Sequence, residues 1–223
     1  MKILIYTFIM VLFLQNITHA KIISIIYGGN AGTQKVAEYI KIGINAYSDH
    51  EVYLFKDLDL LDSDSNDYTV LYQNNHLNNE SWDILDKSDA ILFGAPSVTG
   101  TVSGAFKLFM ETTYTRRINQ KWKDKFAAGF TSSLLSSGGK LNTITTLSLF
   151  ASQHSMIWIS VGVKSDGSKA ENINRFGSSL GMMINIDSNL VKNKKYLSSG
   201  DIKTAKLFGK RIGLFLNNVS SFK

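Results

Sequence analysis

Three short stretches of this chain are built from the residue types that hold anions and flat rings. They are "GGNAGT" at 28–33, "PSVTG" at 96–100 and "SSLLSSGG" at 132–139. Glycine lets the backbone turn its N–H groups toward a ligand, and N–H groups gathered at the start of a helix bind negative charge. Gly28, Gly29, Asn30, Ala31 and Gly32 offer such a turn, and Thr33 adds a hydroxyl where the helix begins. Pro96, Ser97, Val98, Thr99 and Gly100 form the second loop, with hydroxyls and main-chain donors suited to a heterocycle. Ser132, Ser133, Leu134, Leu135, Ser136, Ser137, Gly138 and Gly139 form the third. The first loop alone fits a ligand-free turn equally well. Three loops of this kind, each after an apolar run, predict a site for a phosphorylated ring compound.

The elements that must position these loops alternate regularly. Ile22–Tyr27 is unbroken and β-branched, as a strand buried on both faces requires. Further strands are expected at 51–55, 89–96, 125–132 and 156–163. Helical periodicity covers Thr33–Ala46, a short segment near "ESWDILDKS", Val102–Arg117, 141–154 and 200–218. In the last of these, Asp201 stands near the positive N-terminal end. Residues 57–80 and 164–199 are polar and read as long loops. Strands alternating with helices specify an α/β fold, a five-stranded parallel sheet with helices on both faces. Ligands of such sheets bind beyond the carboxyl ends of the strands, which is where all three loops lie.

Composition narrows the partners. The chain has 223 residues, 44% of them hydrophobic and 19% charged, enough for one domain with a full core. Its net charge of +6 is mild. The lysines at 192–195 and Lys203, Lys206, Lys210 and Arg211 read as a solvated loop and helix face, so nucleic acid is not expected. There is no cysteine, which excludes disulfides, thiolate nucleophiles and cysteine-type zinc sites. No metal is expected either. Asp62, Asp64 and Asn66 are spaced as in a calcium loop, but Asp67 stands where that loop needs glycine and Gln73 where it needs glutamate. His50 and His76 have no ligand-like partners, and Glu111 and Asp124 read as surface charges.

Residues 1–20 have the form of a secretory signal: a lysine, an apolar run over 3–14, then small residues Thr18 and Ala20 before a cut. The apolar run is shorter than the roughly 20 residues of a membrane span. Cleavage near Ala20 would export a domain of residues 21–223. An uncleaved N-terminal membrane anchor is the alternative.

"DAILFGAPSVTGTVSGAFKLFME" and "FTSSLLSSGGKLNTITTLSLFASQHSM" resemble the flavodoxin-like, WrbA-type NAD(P)H:quinone oxidoreductases, as do "FGSSLG" and the final "SSGDIKTAKLFGKRIG". The resemblance implies strand order 2-1-3-4-5, non-covalent FMN, two-electron transfer from NAD(P)H to a quinone or other small acceptor, and a homodimer or homotetramer. The family's first loop has the form S-x-x-G-x-T; here Gly28 stands at the serine, Ala31 at the glycine, and Thr33 is kept. In its "GTPTRFGN" the arginine and phenylalanine become Val98 and Thr99, while Pro96, Ser97 and Gly100 match. In its "STGTQHGG" a glycine and a threonine become Leu134 and Leu135, while Ser132, Ser133, Gly138 and Gly139 persist. His154 matches a family histidine near the flavin and is the candidate catalytic group that titrates near neutrality; a helix C-cap is its plainer role. The altered loops leave two alternatives to an enzyme: an exported electron carrier, and a flavin-free scaffold.

Overall fold

The computed structural model describes residues 20–29, 31–60, 79–187 and 195–219. The export segment, the calcium-like loop with His76, Asn30 and the lysines at 192 and 194 lie outside them. The strands are β1 (Ile22–Tyr27), β2 (Glu51–Lys56), β3 (Ala90–Val98), β4 (Thr101–Val102), β5 (Phe126–Ser133), β6 (Ile157–Trp158) and β7 (Met182–Asn185). The helices are α1 (Ala31–Asn45), α2 (Asn79–Lys87), α3 (Gly104–Thr112), α4 (Tyr114–Ile118), α5 (Lys140–Gln153) and α6 (Ser199–Asn217). A 3-10 turn, Asp57–Leu60, follows β2.

The main sheet runs β2-β1-β3-β5-β6 and is parallel throughout, with β7 also parallel to β5. This is the flavodoxin-like order 2-1-3-4-5. Each central strand alternates its side chains between two apolar layers. Ile23 and Ile25 of β1 and Leu92 of β3 pack with Val36, Ile40 and Ile44 of α1 and Phe208 and Ile212 of α6. Ile26, Ile91 and Phe93 face the other way, onto Trp82 and Leu85 of α2, Phe106 and Phe109 of α3 and Phe150 of α5. Burial on both faces is why these strands read as continuous apolar runs. In the second layer Trp82 stacks on Phe109 and Trp122, and Phe93 meets Phe150 edge-on at 5.2 Å. Truncating one of those rings to alanine would cost about 3–5 kcal/mol.

Three expected elements differ. The fifth strand is split: Ile157–Trp158 pairs with Phe126 and Ala127, the chain then leaves the sheet, and Met182–Asn185 pairs with Phe130–Ser133. The second piece falls in what reads as loop, because four residues carry no resolvable period-2 signal. Asn174 holds the excursion together, donating to the carbonyls of Val163 and Ser178. Arg175 then ties it to Asp201 through two hydrogen bonds of 3.1 and 2.9 Å. The helix expected from Val102 is preceded by β4, which folds back on Ser97–Val98 as an antiparallel bridge. It also breaks at Thr113, where Thr112 and Thr113 turn their hydroxyls onto the carbonyls of Phe109 and Met110.

Candidate functional site

The three small-residue loops converge at the carboxyl edge of the sheet. Thr33 and Ser132 join the first to the third: their hydroxyls meet at 2.7 Å and both residues are fully buried. Gly29 joins the first to the second. It has φ +79°, and a Cβ there would lie 2.6 Å from the Pro96 ring. Gly139 joins the third to the second, with φ +77° and no room for a Cβ, which would stand 2.5 Å from the Gly100 Cα. Side chains complete the weave. The Ser97 hydroxyl donates to the Gly138 carbonyl at 2.7 Å, Thr143 donates to Ser97 at 3.0 Å, and Asn142 donates to the Gly100 carbonyl at 2.9 Å.

Between the second and third loops lies a cavity of about 620 Å³. Pro96, Ser97, Val98, Thr99, Gly100, Ser132, Ser133, Leu134, Leu135, Gly138 and Gly139 line it, and Ile186 closes it from beyond β7. A cavity this size accepts a drug-sized ring system. The apolar residues at the altered positions form its rim: Val98 is 49% exposed, Leu134 64% and Leu135 71%. None of the lining residues is ionisable. Gly28, Ala31, Gly32 and Thr33 stand beside the cavity rather than in its wall, at the N-terminus of α1, whose first turn carries no acidic residue. Ser136 and Ser137 belong to the third loop but do not line the cavity; the Ser136 hydroxyl accepts from Asn185 at 3.1 Å.

Two buried ionisable side chains at this edge, Lys140 and Asp57, fall outside the three loop motifs. Lys140 is buried at the first residue of α5, and its ammonium reaches back to the carbonyls of Leu135 and Ser136 and to Asn185 Oδ1. Burial, with Arg175 nearby, pulls its pKa down to about 8. A lysine in the first helical turn opposes the helix dipole, and that mismatch is the signal a sequence carries for it. Asp57, fully buried after β2, gives no such signal.

His154, the candidate catalytic residue, does not line this cavity. It caps the far end of α5, whose fourteen residues separate it from Gly139 by roughly 20 Å. The chain direction forces this: a helix that starts at the carboxyl edge of a parallel sheet ends at the amino edge. His154 is buried between Trp122 and Phe150, with ring centroids 4.6 and 4.8 Å away. Thr113 spends its single proton on the Met110 carbonyl, so it accepts from His154 Nε2–H at 2.9 Å, leaving Nδ1 as an unpartnered acceptor among the described residues. Burial, then the positive charges of Arg117 and Arg116, lower its pKa to about 4. It is a neutral structural cap.

Residues 21–169 match the family of NADPH-dependent FMN reductases. The chain belongs to that family. It is 35% identical to a flavodoxin, FldP, of Pseudomonas aeruginosa over 135 residues, 59% of this chain and 72% of that one. It is 28% identical to an NAD(P)H dehydrogenase (quinone) of Archaeoglobus fulgidus over 128 residues, 57% of this chain and 59% of that protein. Among solved structures, a WrbA-like flavodoxin from Agrobacterium tumefaciens superposes with a TM-score of 0.62 at 28% identity, covering 88% of this chain and 98% of that one. The family implies FMN as the flavin and NAD(P)H as the electron donor. The donor set fits FMN: the N-terminus of helix α1, with no acidic residue in its first turn, suits a phosphate, and the apolar-rimmed cavity beside it suits a flat ring. Among the described residues no group of side chains is suited to a metal ion.

Proposed function

We propose that this protein is an exported FMN-dependent oxidoreductase that passes two electrons from NAD(P)H to a small acceptor of the quinone type. The observation that carries the reading is the cavity between the Pro96–Gly100 and Ser132–Gly139 loops, joined through Thr33 and Ser132 to the N-terminus of α1. Phosphate and ring thus have adjoining places on one sheet edge. Bound FMN supplies the hydride chemistry. The chain's own task is to hold and shield. The main-chain N–H groups at the start of α1 bind the phosphate, and the buried Thr33–Ser132 hydroxyl pair holds that turn against the third loop. Val98, Leu134 and Leu135 cover the ring with apolar surface and present an apolar mouth to a quinone. With no ionisable group in the wall, the proton of the reduced acceptor comes from solvent.

Visible absorbance of the purified chain with added FMN tests the reading, followed by stopped-flow reduction with NADH or NADPH and reoxidation by a quinone. Flavin binding and rapid reduction are expected; no binding at high micromolar FMN overturns it. A second reading is an electron carrier that binds FMN but takes electrons from a partner protein. The likeness to a flavodoxin and the exposed Leu134–Leu135 rim favour it. FMN binding without reduction by either nicotinamide decides for the carrier.

Export rests on the apolar run and the small residues ahead of Lys21, and mass spectrometry of the mature N-terminus checks it. The homodimer or homotetramer rests on exposed Leu141 and Leu149, two turns apart on α5, and sedimentation measures it.

A further inference from the structure

Among the described residues, Asp57 holds the one buried carboxylate oxygen without a hydrogen-bond partner. Its Oδ1 accepts from the Leu58 N–H at 2.9 Å, while Oδ2 has no hydrogen-bond partner and the residue is fully buried. Oδ2 lies directly beneath the first loop. A Cβ built on Gly28 would stand 2.6 Å from Oδ2 and 2.9 Å from the Phe106 ring, so the carboxyl fills the space a side chain at 28 would take. Gly28 covers it with backbone alone. The N-terminus of α1 begins two residues further on, with no acidic residue in its first turn.

Such an oxygen has two physical fates. As part of a carboxylate it would be a buried, uncompensated charge next to the place where the loop receives an anion. As Oδ2–H it becomes a hydrogen-bond donor beside that place. Burial moves the group toward the second, and a phosphate dianion arriving at the loop moves it the rest of the way. Burial is the largest influence on Asp57 and raises its pKa, Asp59 raises it further, and only Lys56 and nearby N–H groups oppose. Tyr27 and Glu38 are the other titratable groups of this corner, neither of them cationic, and α3 contributes only the Phe106 ring.

We propose that Asp57 is a cofactor-binding residue, its carboxyl held protonated in the complex so that Oδ2–H donates to a phosphate oxygen of FMN. The role rests on the functional reading above, and it makes flavin binding take up a proton. It also makes the first loop discriminate: a flavin with a phosphate engages Asp57, and riboflavin does not.

The test is calorimetric titration of the full chain with FMN and with riboflavin at pH 8, in buffers of different ionisation enthalpy. Proton uptake with FMN and none with riboflavin is expected, because free FMN is already a dianion at that pH (phosphate-ester pKa about 6). FMN bound with no proton uptake overturns the role of Asp57 while leaving the functional reading intact. No flavin binding at all overturns both. Asp57→Asn keeps a donor without an ionisable proton, so it should bind FMN within about threefold of the wild type at neutral pH and lose the uptake. Asp57→Ala should weaken FMN about tenfold and leave riboflavin unchanged. Equal losses for both flavins would mean a structural role only and would overturn the proposal.

Discussion

The hydroxyls of Thr33 and Ser132 meet at 2.7 Å with no access to solvent, ninety-nine positions apart in the chain. This pair fastens the first loop to the third, so neither hydroxyl can be removed without orphaning the other. Thr33→Val leaves Ser132 Oγ buried without that partner, which costs about 1–3 kcal/mol of stability, and should weaken FMN about tenfold. The double variant Thr33→Val, Ser132→Ala should recover part of the stability but none of the affinity. Urea unfolding midpoints and FMN titrations separate the two effects.

His154 makes the fold acid-sensitive. Its folded pKa is about 4, below the usual 6.5 of an unfolded histidine, so the unfolded chain binds the proton more tightly. Stability from this group is therefore complete above about pH 6.5 and is lost as pH falls toward 4. The full loss would be about 3 kcal/mol. His154→Gln should flatten the stability profile across that window while leaving FMN affinity at pH 7 within about twofold. A large loss of flavin affinity would contradict the placement of His154 at the far end of α5.

Gly139→Ala places a methyl group against the Gly100 backbone at a left-handed φ of +77°. Backbone cannot yield there as a flexible side chain would. The expected cost is about 1–3 kcal/mol of stability, together with a cavity too distorted to bind FMN tightly. Thermal denaturation and flavin fluorescence quenching measure both.

Lys140 acts in the same pH sense as His154 but in an alkaline window. Its folded pKa of about 8 lies below the ordinary lysine value, so between about pH 8 and 10.5 the unfolded chain holds a proton that the folded chain has released. Stability from this group rises with pH through that range. Lys140→Met should remove the rise. It should also free the Leu135 and Ser136 carbonyls and weaken FMN several-fold by loosening the third loop. Denaturant titrations at pH 7, 8 and 9.5 on both proteins check the sign.

Much of this protein is determined by local sequence. Ile22–Tyr27 and Ala90–Pro96 read as strands because burial on both faces demands unbroken apolar runs, and parallel pairing then places "GGNAGT", "PSVTG" and "SSLLSSGG" on one edge. Loop positions follow from chain direction alone. Tertiary structure decided what those positions do. That Gly139 abuts Gly100, that Thr33 finds Ser132, and that His154 sits a helix length from the cavity are contacts between segments distant in sequence, set by side-chain packing across the sheet. Asp57 shows the limit most sharply. Nothing in "FKDLDL" marks its first aspartate, because its chemistry comes from burial beneath a glycine of a loop distant in sequence. Composition cannot encode an environment; only the fold brings the carboxyl and the empty Cβ position together.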